Sequence, residues 1–255
     1  MEIYQYFQNF IFMKNYLNTI IIGVTILISV ILLSGAFKHR NQELEVISVT
    51  GLGSKDFESD LVVWSGNFSR KTNELKSAYA ELNRDQETIR KYLLQKGMKS
   101  EDIVFSAIEI AKDYDNTFDS NGNIRGSVFT GYRLSQQITI ESKEVDKVEK
   151  ISREISELIN TGVELYSQPP AYYYTQLSAL KLEMIGQATK DAKDRAEQIA
   201  ENAGGSLGKL KEATMGIFQI TARNSEEDYS WGGTYNTTAR RKTANITMKL
   251  KYAAQ

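Results

Sequence analysis

ANITMKLKY, residues 244–252, is the stretch on which the rest of the fold turns. Ala244, Ile246, Met248, Leu250 and Tyr252 alternate with Asn245, Thr247, Lys249 and Lys251. A period of two puts the first set on one face of a β-strand and the second in water. One dry face and one wet face fit an antiparallel sheet covered on a single side. The cover is encoded just upstream, in a helix expected over residues 176–202. Its stripe of Leu180, Met184, Ala188, Ala192, Ile199 and Ala203 is narrow and Ala-rich, which permits close packing against a sheet, and Gly204-Gly205 stops it. A further strand is expected near Lys211–Ala222.

The same order of elements is legible earlier in the chain. A helix over residues 73–96 carries Leu75, Ala78, Tyr79, Leu82, Ile89 and Leu93 at helical spacing and ends at Gly97. A strand over Ile103–Ala111 follows, then a polar loop over Asp113–Gly126 with Asn121-Gly122 suited to a tight turn, then a strand over Val128–Ile140. Two helix–strand–strand units imply a weak internal duplication and an α+β class, with antiparallel sheets and helices packed on one face.

Further elements fill the remainder. Val46–Thr50 reads as a strand closed by Gly51-Leu52-Gly53, and Leu61–Phe68 as a second with Val62, Trp64 and Phe68 inward. Gly66 suggests a bulge or a close backbone approach. Val145, Val148, Ile151, Ile155, Leu158 and Ile159 line another helix, ended by Gly162. Val163–Tyr174 is strand-like but broken by Pro169-Pro170, which points to a sheet edge or a bulge.

Ahead of all this stands LNTIIIGVTILISVILLSGAF, residues 17–37, with no charge between Lys14 and Lys38. About 20 apolar residues in a helix span the roughly 30 Å hydrocarbon core of a bilayer, so one N-terminal transmembrane helix is expected. The chain then divides into a tail at 1–16, an anchor or signal segment at 17–37, a linker at 38–44 and one α+β domain at 45–253. Ser34-Gly35-Ala36 offers the alternative of signal cleavage after Ala36. Lys38, His39 and Arg40 flank the segment on its far side, and the positive-inside rule alone would orient them to the cytoplasm.

Composition excludes several classes of function. The 255 residues include no Cys and one His, so thiolate nucleophiles, Cys-based zinc sites and disulfides are impossible. A formal charge of −1 argues against a nucleic-acid partner. His39 beside the apolar segment rules out a Ser–His–Asp arrangement in the domain. The run Asp113–Asn123 resembles a calcium loop, but counting from Asp119 puts Ile124 sixth and Thr130 twelfth, where an EF-hand needs Gly and Glu. Asp56, Glu58 and Asp60 share one face of an extended chain and read as a polar strand start. No catalytic, metal or cofactor residue is assigned, and an enzyme is not expected. The residues left as candidates for interaction are aromatic: Tyr172 and Tyr174 after the proline pair, and Tyr229, Trp231 and Tyr235 in the loop SEEDYSWGGTYN, residues 225–236.

The stretch DAKDRAEQIAENAGGSLGK, from Asp191 to Lys209, resembles the late helix and turn of the SIMPL-domain family, also known as the periplasmic immunogenic protein or outer-membrane 28 kDa type. The opening Val49-Thr50-Gly51-Leu52-Gly53, the Gly97 turn before Ile103, the Gly131-Tyr132 pair and the alternating last strand are similar too, so the likeness covers Glu45 to Tyr252. It implies an exported α+β domain in a bacterial envelope. Some relatives form large ring-like homo-oligomers, some are linked to stress tolerance, and no family catalytic residues are established. This chain departs from the family at Lys55-Asp56, where relatives often carry Pro-Asp, and in the added 225–236 loop. The expectation is a periplasmic domain tethered at the bacterial inner membrane through residues 17–37. It would serve envelope maintenance or stress tolerance by homo-oligomer formation or protein contact. The rival expectation is a ligand-binding module for cell-wall glycan that uses the exposed aromatics.

Overall fold

A computed structural model describes residues 22–34 and 46–254. The elements are α1 (residues 22–34), β1 (Val46–Glu58), β2 (Leu61–Thr72), α2 (Leu75–Gln95), β3 (Ile103–Phe105), β4 (Glu109–Phe118), β5 (Ile124–Ser142), α3 (Val145–Glu154), β6 (Leu165–Ser167), β7 (Ala171–Tyr173), α4 (Leu177–Asn202), β8 (Leu207–Met215), β9 (Gln219–Ala222) and β10 (Arg241–Ala254). Residues 17–21 and 35–37 of the expected transmembrane helix lie outside the described residues, as do the tail and the linker. Residues 22–34 are helical with their apolar side chains exposed, and no helix among the described residues is long and apolar enough to cross a membrane.

The class is α+β with two antiparallel sheets. In the first, β10 lies between β1 on one side and β8 and β9 on the other. In the second, β5 lies between β2 and the pair β3 and β4, while β6 and β7 extend beyond β2. Each sheet follows one plan: an opening strand (β1 or β2), a long helix (α4 or α2), a strand broken in two (β8 and β9, or β3 and β4), and a long central strand (β10 or β5). The short Ser59-Asp60 link passes the chain between sheets, with the Ser59 N–H donating to Arg240 O at 3.0 Å and the Asp60 N–H to Tyr173 O at 3.1 Å.

Each sheet has its own core. Val62, Trp64, Phe68, Leu134, Ile138 and Ile140 pack on Ala78, Leu82, Ile89 and Leu93 of α2 and on Val148 and Ile151 of α3. Each such aliphatic side chain, fully buried, contributes about 1.5–3 kcal/mol. Leu75 and Tyr79, placed inward by the sequence pattern, are exposed, and Asp85 takes the inward position. That carboxylate is buried because Arg70 bridges it from β2, Nε to Oδ2 at 2.5 Å and Nη2 to Oδ1 at 2.9 Å, and Nη2 also donates to Gly162 O at 2.6 Å. A paired, hydrogen-bonded charge is the form in which a carboxylate tolerates burial.

The second core joins Met184, Ala188, Ala192 and Ala196 of α4 to Ala244, Ile246, Met248 and Leu250 of β10. Here the structure corrects one expectation: Gly51 and Gly53 do not close β1, which runs on to Glu58. They clear space for the helix. A Cβ at Gly51 would lie 2.2 Å from Ala188 O and 2.4 Å from Ala192 N, and one at Gly53 would lie 2.4 Å from Met184 O. The Asp191 carboxylate accepts the outward Leu52 N–H at 2.8 Å, and this bond, followed by that from Arg195, holds its pKa below the usual range. Gly51, Leu52, Gly53, Ala188, Asp191 and Ala192 thus form one helix–strand joint.

The region expected as a polar loop at Asp113–Gly126 is corrected too. Most of it is strand: β4 and β5 pair from Glu109–Ser135 out to Phe118–Ile124, leaving a turn at residues 119–123. Polar residues are tolerated in these strands because both faces meet water.

Candidate interaction surfaces

Beyond Thr72, where β2 ends, β4 and β5 continue as a two-stranded arm. Its root is Gly131, whose φ of 137° and whose distance of 2.7 Å from a built Cβ to Thr72 O both require glycine. Register shifts between Asp113 and Tyr114 and between Thr117 and Phe118 place Ile110, Tyr114, Phe118, Ile124, Phe129 and Tyr132 along one face. Tyr114 meets Phe129 with ring centroids 5.7 Å apart, and Phe129 meets Tyr132 at 5.1 Å. All but Tyr132 are exposed. At the root, Asp113 binds Arg133 at 2.6 Å and Lys71 at 3.0 Å, which hold its carboxyl below the usual range, Arg133 most. At the tip, the Asp119 carboxylate accepts the N–H groups of Asn123 and Asn121, each at 2.9 Å, so it caps its own turn.

The five candidate aromatics fall into two groups. Tyr172, Tyr174 and Tyr235 belong to the junction between the sheets. Tyr174 packs on Phe57 at 4.8 Å, its N–H donates to Tyr235 Oη at 3.2 Å, and the Tyr235 ring lies 6.3 Å from Tyr173. The Tyr172 ring faces Lys242 Nζ at 5.9 Å, and burial pushes its phenol up to about 12. Tyr229 and Trp231 stand apart, exposed, on the loop between β9 and β10.

That loop is stitched rather than loose. The buried Gln219 side chain accepts the Thr234 N–H at 2.7 Å and the Ser230 N–H at 3.4 Å, and donates to Ser230 O at 2.8 Å. Glu227 accepts the Ala222 N–H at 3.0 Å and an amide proton of Asn236. The backbones of Ile220, Thr234 and Asn236 are bonded directly. Beneath the loop, on the sheet face away from α4, lies a cavity of about 520 Å³ lined among others by Leu52, Ile217, Tyr229, Trp231, Asn245 and Thr247.

The three closely spaced carboxylates are each engaged. Asp56 accepts Thr243 Oγ1 at 2.7 Å and pairs with Arg223 at 2.9 Å; Glu58 pairs with Arg241 at 2.9 Å; Asp60 accepts the Thr175 N–H at 2.7 Å and hydroxyl at 2.6 Å. Among the described residues no group of three His, Asp or Glu side chains is placed to hold a metal.

Sequence reasoning missed Lys242. It is 0 % exposed, its ammonium donates to Ala239 O, and burial pushes it down to about 8. Extending the alternation of residues 244–252 two places toward the N-terminus would have put it inward. Gln219 carried no such signal, since its role depends on a loop that folds back from eleven or more residues away.

Comparison with known proteins fits this fold. The 26 kDa periplasmic immunogenic protein of Brucella abortus strain S19 is 27% identical over 183 residues, covering 69% of this chain and 70% of the relative. The protein of the same name from Brucella melitensis biotype 1 matches at the same identity and coverage. The family profile matches residues 47–250, from the second residue of β1 nearly to the end of β10. Because it takes in both sheets and the β1–α4 joint, the chain belongs to the SIMPL family, a family described as protein of unknown function DUF541.

Proposed function

We propose that this chain is a non-enzymatic envelope module that works in the periplasm by self-assembly through the β4–β5 arm. Residues 17–37 tether it to the inner membrane, with cleavage after Ala36 as the other route to the same compartment. Support for the compartment comes from the uncharged apolar run and from relatives whose names call them periplasmic. Its task is envelope maintenance or stress tolerance, through contact rather than chemistry.

The arm carries this reading. A two-stranded hairpin is marginal alone in water, and this one exposes Ile110, Tyr114, Phe118, Ile124 and Phe129 on one face. The outer edge of β4 and the β5 edge before Gly131 also lack strand partners among the described residues. A second copy supplies an identical apolar stripe and free strand edges, so one encounter covers both.

Light scattering on the full chain in mild detergent tests the idea. The expected result is a multimer that falls to the monomer mass when Phe118 and Ile124 are both replaced by lysine, with the circular dichroism spectrum kept. A monomer at high concentration in the unaltered chain, or a multimer indifferent to Phe118→Lys with Ile124→Lys, overturns it. An intact Met1 in the membrane fraction distinguishes the tether from the cleaved signal.

A further inference from the structure

The cavity under Trp231 lies in the other sheet and makes no use of the arm. It exists because the strand beside β10 is interrupted. β8 pairs with residues 248–254 and β9 with residues 242–245; between them the Gly216 N–H still donates to Thr247 O at 2.8 Å, and Ile217 and Phe218 leave the ladder. Gly216 makes this detour possible: a Cβ there would stand 2.2 Å from Thr247 Oγ1. The loop after β9 then folds back as a wall, held by Gln219.

Three features select what such a cavity can take. First, none of its lining residues carries a charge, although 25% of the chain does. A charged ligand would find no counter-ion there. Second, Trp231 is 96 % exposed on a loop fixed by buried hydrogen bonds. The backbone that carries the indole is already fixed before anything binds, which lowers the entropy cost of stacking on it. Third, the floor is polar. Asn245 and Thr247 lie on the solvent-facing register of β10, and among the described residues neither the Asn245 amide nor the Thr247 hydroxyl has a hydrogen-bond partner. A wholly apolar ligand would strip water from both and return nothing.

We propose that this cavity binds a neutral saccharide, one sugar ring stacked on the Trp231 indole with its hydroxyls bonded to Asn245 and Thr247. A sugar ring presents an apolar C–H face and a polar rim, which is the division between wall and floor here. The site deepens the notion of a glycan-binding module but narrows it: Tyr172, Tyr174 and Tyr235 take no part.

Acrylamide quenching of tryptophan emission tests it, on the full chain in mild detergent. Trp64 is fully buried and donates to Ser167 Oγ at 2.9 Å, so quenching reports Trp231. Tetra-N-acetylchitotetraose and maltotetraose are the probes, with glycerol as the viscosity control. The expected result is saturable protection by at least one tetrasaccharide, half-complete at about 0.1–1 mM. Trp231→Ala loses the protectable emission, and Asn245→Ala requires at least about fivefold more sugar. Both side chains are at the surface, so circular dichroism will show these variants folded. No protection by either sugar up to about 20 mM, or equal protection in Asn245→Ala, overturns the proposal, whatever the arm does.

Discussion

Gly51→Ala is expected to lower stability by about 3 kcal/mol, at the top of the range for an overpacked core. Against a total of about 5–15 kcal/mol for a typical domain, that is a large fraction. The added methyl would fall 2.2 Å from Ala188 O, and the obstacle is backbone, which cannot swing aside as a side chain can. β1 and α4 must separate, loosening the Ala188 and Ala192 contacts and the Leu52–Asp191 hydrogen bond together. Urea denaturation of Gly51→Ala should show a lower midpoint at unchanged slope. Gly186→Ala supplies the contrast on the same helix. A Cβ there meets nothing within 4 Å, so the gain in helix propensity should raise stability by up to about 1 kcal/mol. If both variants move the midpoint in the same direction, the joint is not packed as described.

Lys242→Met should stabilise the protein at neutral pH by about 2 kcal/mol, allowing for residual hydration of the ammonium. Burial lowers the folded-state pKa from 10.5 to about 8, so the folded protein disfavours the charged form. Below pH 8 that cost is present in full. Between about 8 and 10.5 the unfolded chain binds the proton that the folded chain has released, so stability rises with pH. Tyr172 acts in the opposite sense above its ordinary 10, because its folded-state value is raised to about 12 and the unfolded phenol ionises first. The informative window is therefore pH 8 to 10. There the midpoint of the unaltered chain should climb relative to Lys242→Met, and parallel curves would count against a buried, strained ammonium.

The parts of this fold that were legible in the sequence are those set by local periodicity. The alternation in residues 244–252 gave β10, the Ala stripe gave α4 and its close approach (though Ile199 and Ala203 face water, and Ala196 and Ala200 take the inward places), and the proline pair gave the break between β6 and β7 at the sheet edge. The class followed from these, and the family from the resemblance of Asp191–Lys209 and of the Val49–Gly53 strand. Gly97, Gly162 and Gly204 do end their helices, and what failed was reading Gly51, Gly53 and polar content as punctuation. Gly51 and Gly53 sit mid-strand because a helix lies on them, a requirement set more than a hundred residues away. The Asp113–Gly126 segment is polar because it projects from the sheet, and a projecting strand looks like a loop to any test based on burial. Trp231 and Tyr229 were visible as exposed aromatics, but the cavity beside them was not, since Leu52, Gly216 and Asn245 come from three distant segments.

The clasp between β1 and β10 runs over thirteen consecutive residue pairs, from Val46–Ala253 to Glu58–Arg241. It joins the beginning of the domain to its end, so the polypeptide is a closed circuit held by ladder bonds rather than by a covalent link. Loss of the last strand would release the first, because β10 is the one strand among the described residues on which β1 pairs. A nick at the arm tip, in residues 119–123, would leave two fragments still paired through both sheets, with the first core shared between them and the second completed by β1. Such halves have reason to find one another, which makes this domain a natural scaffold for splitting and reassembly.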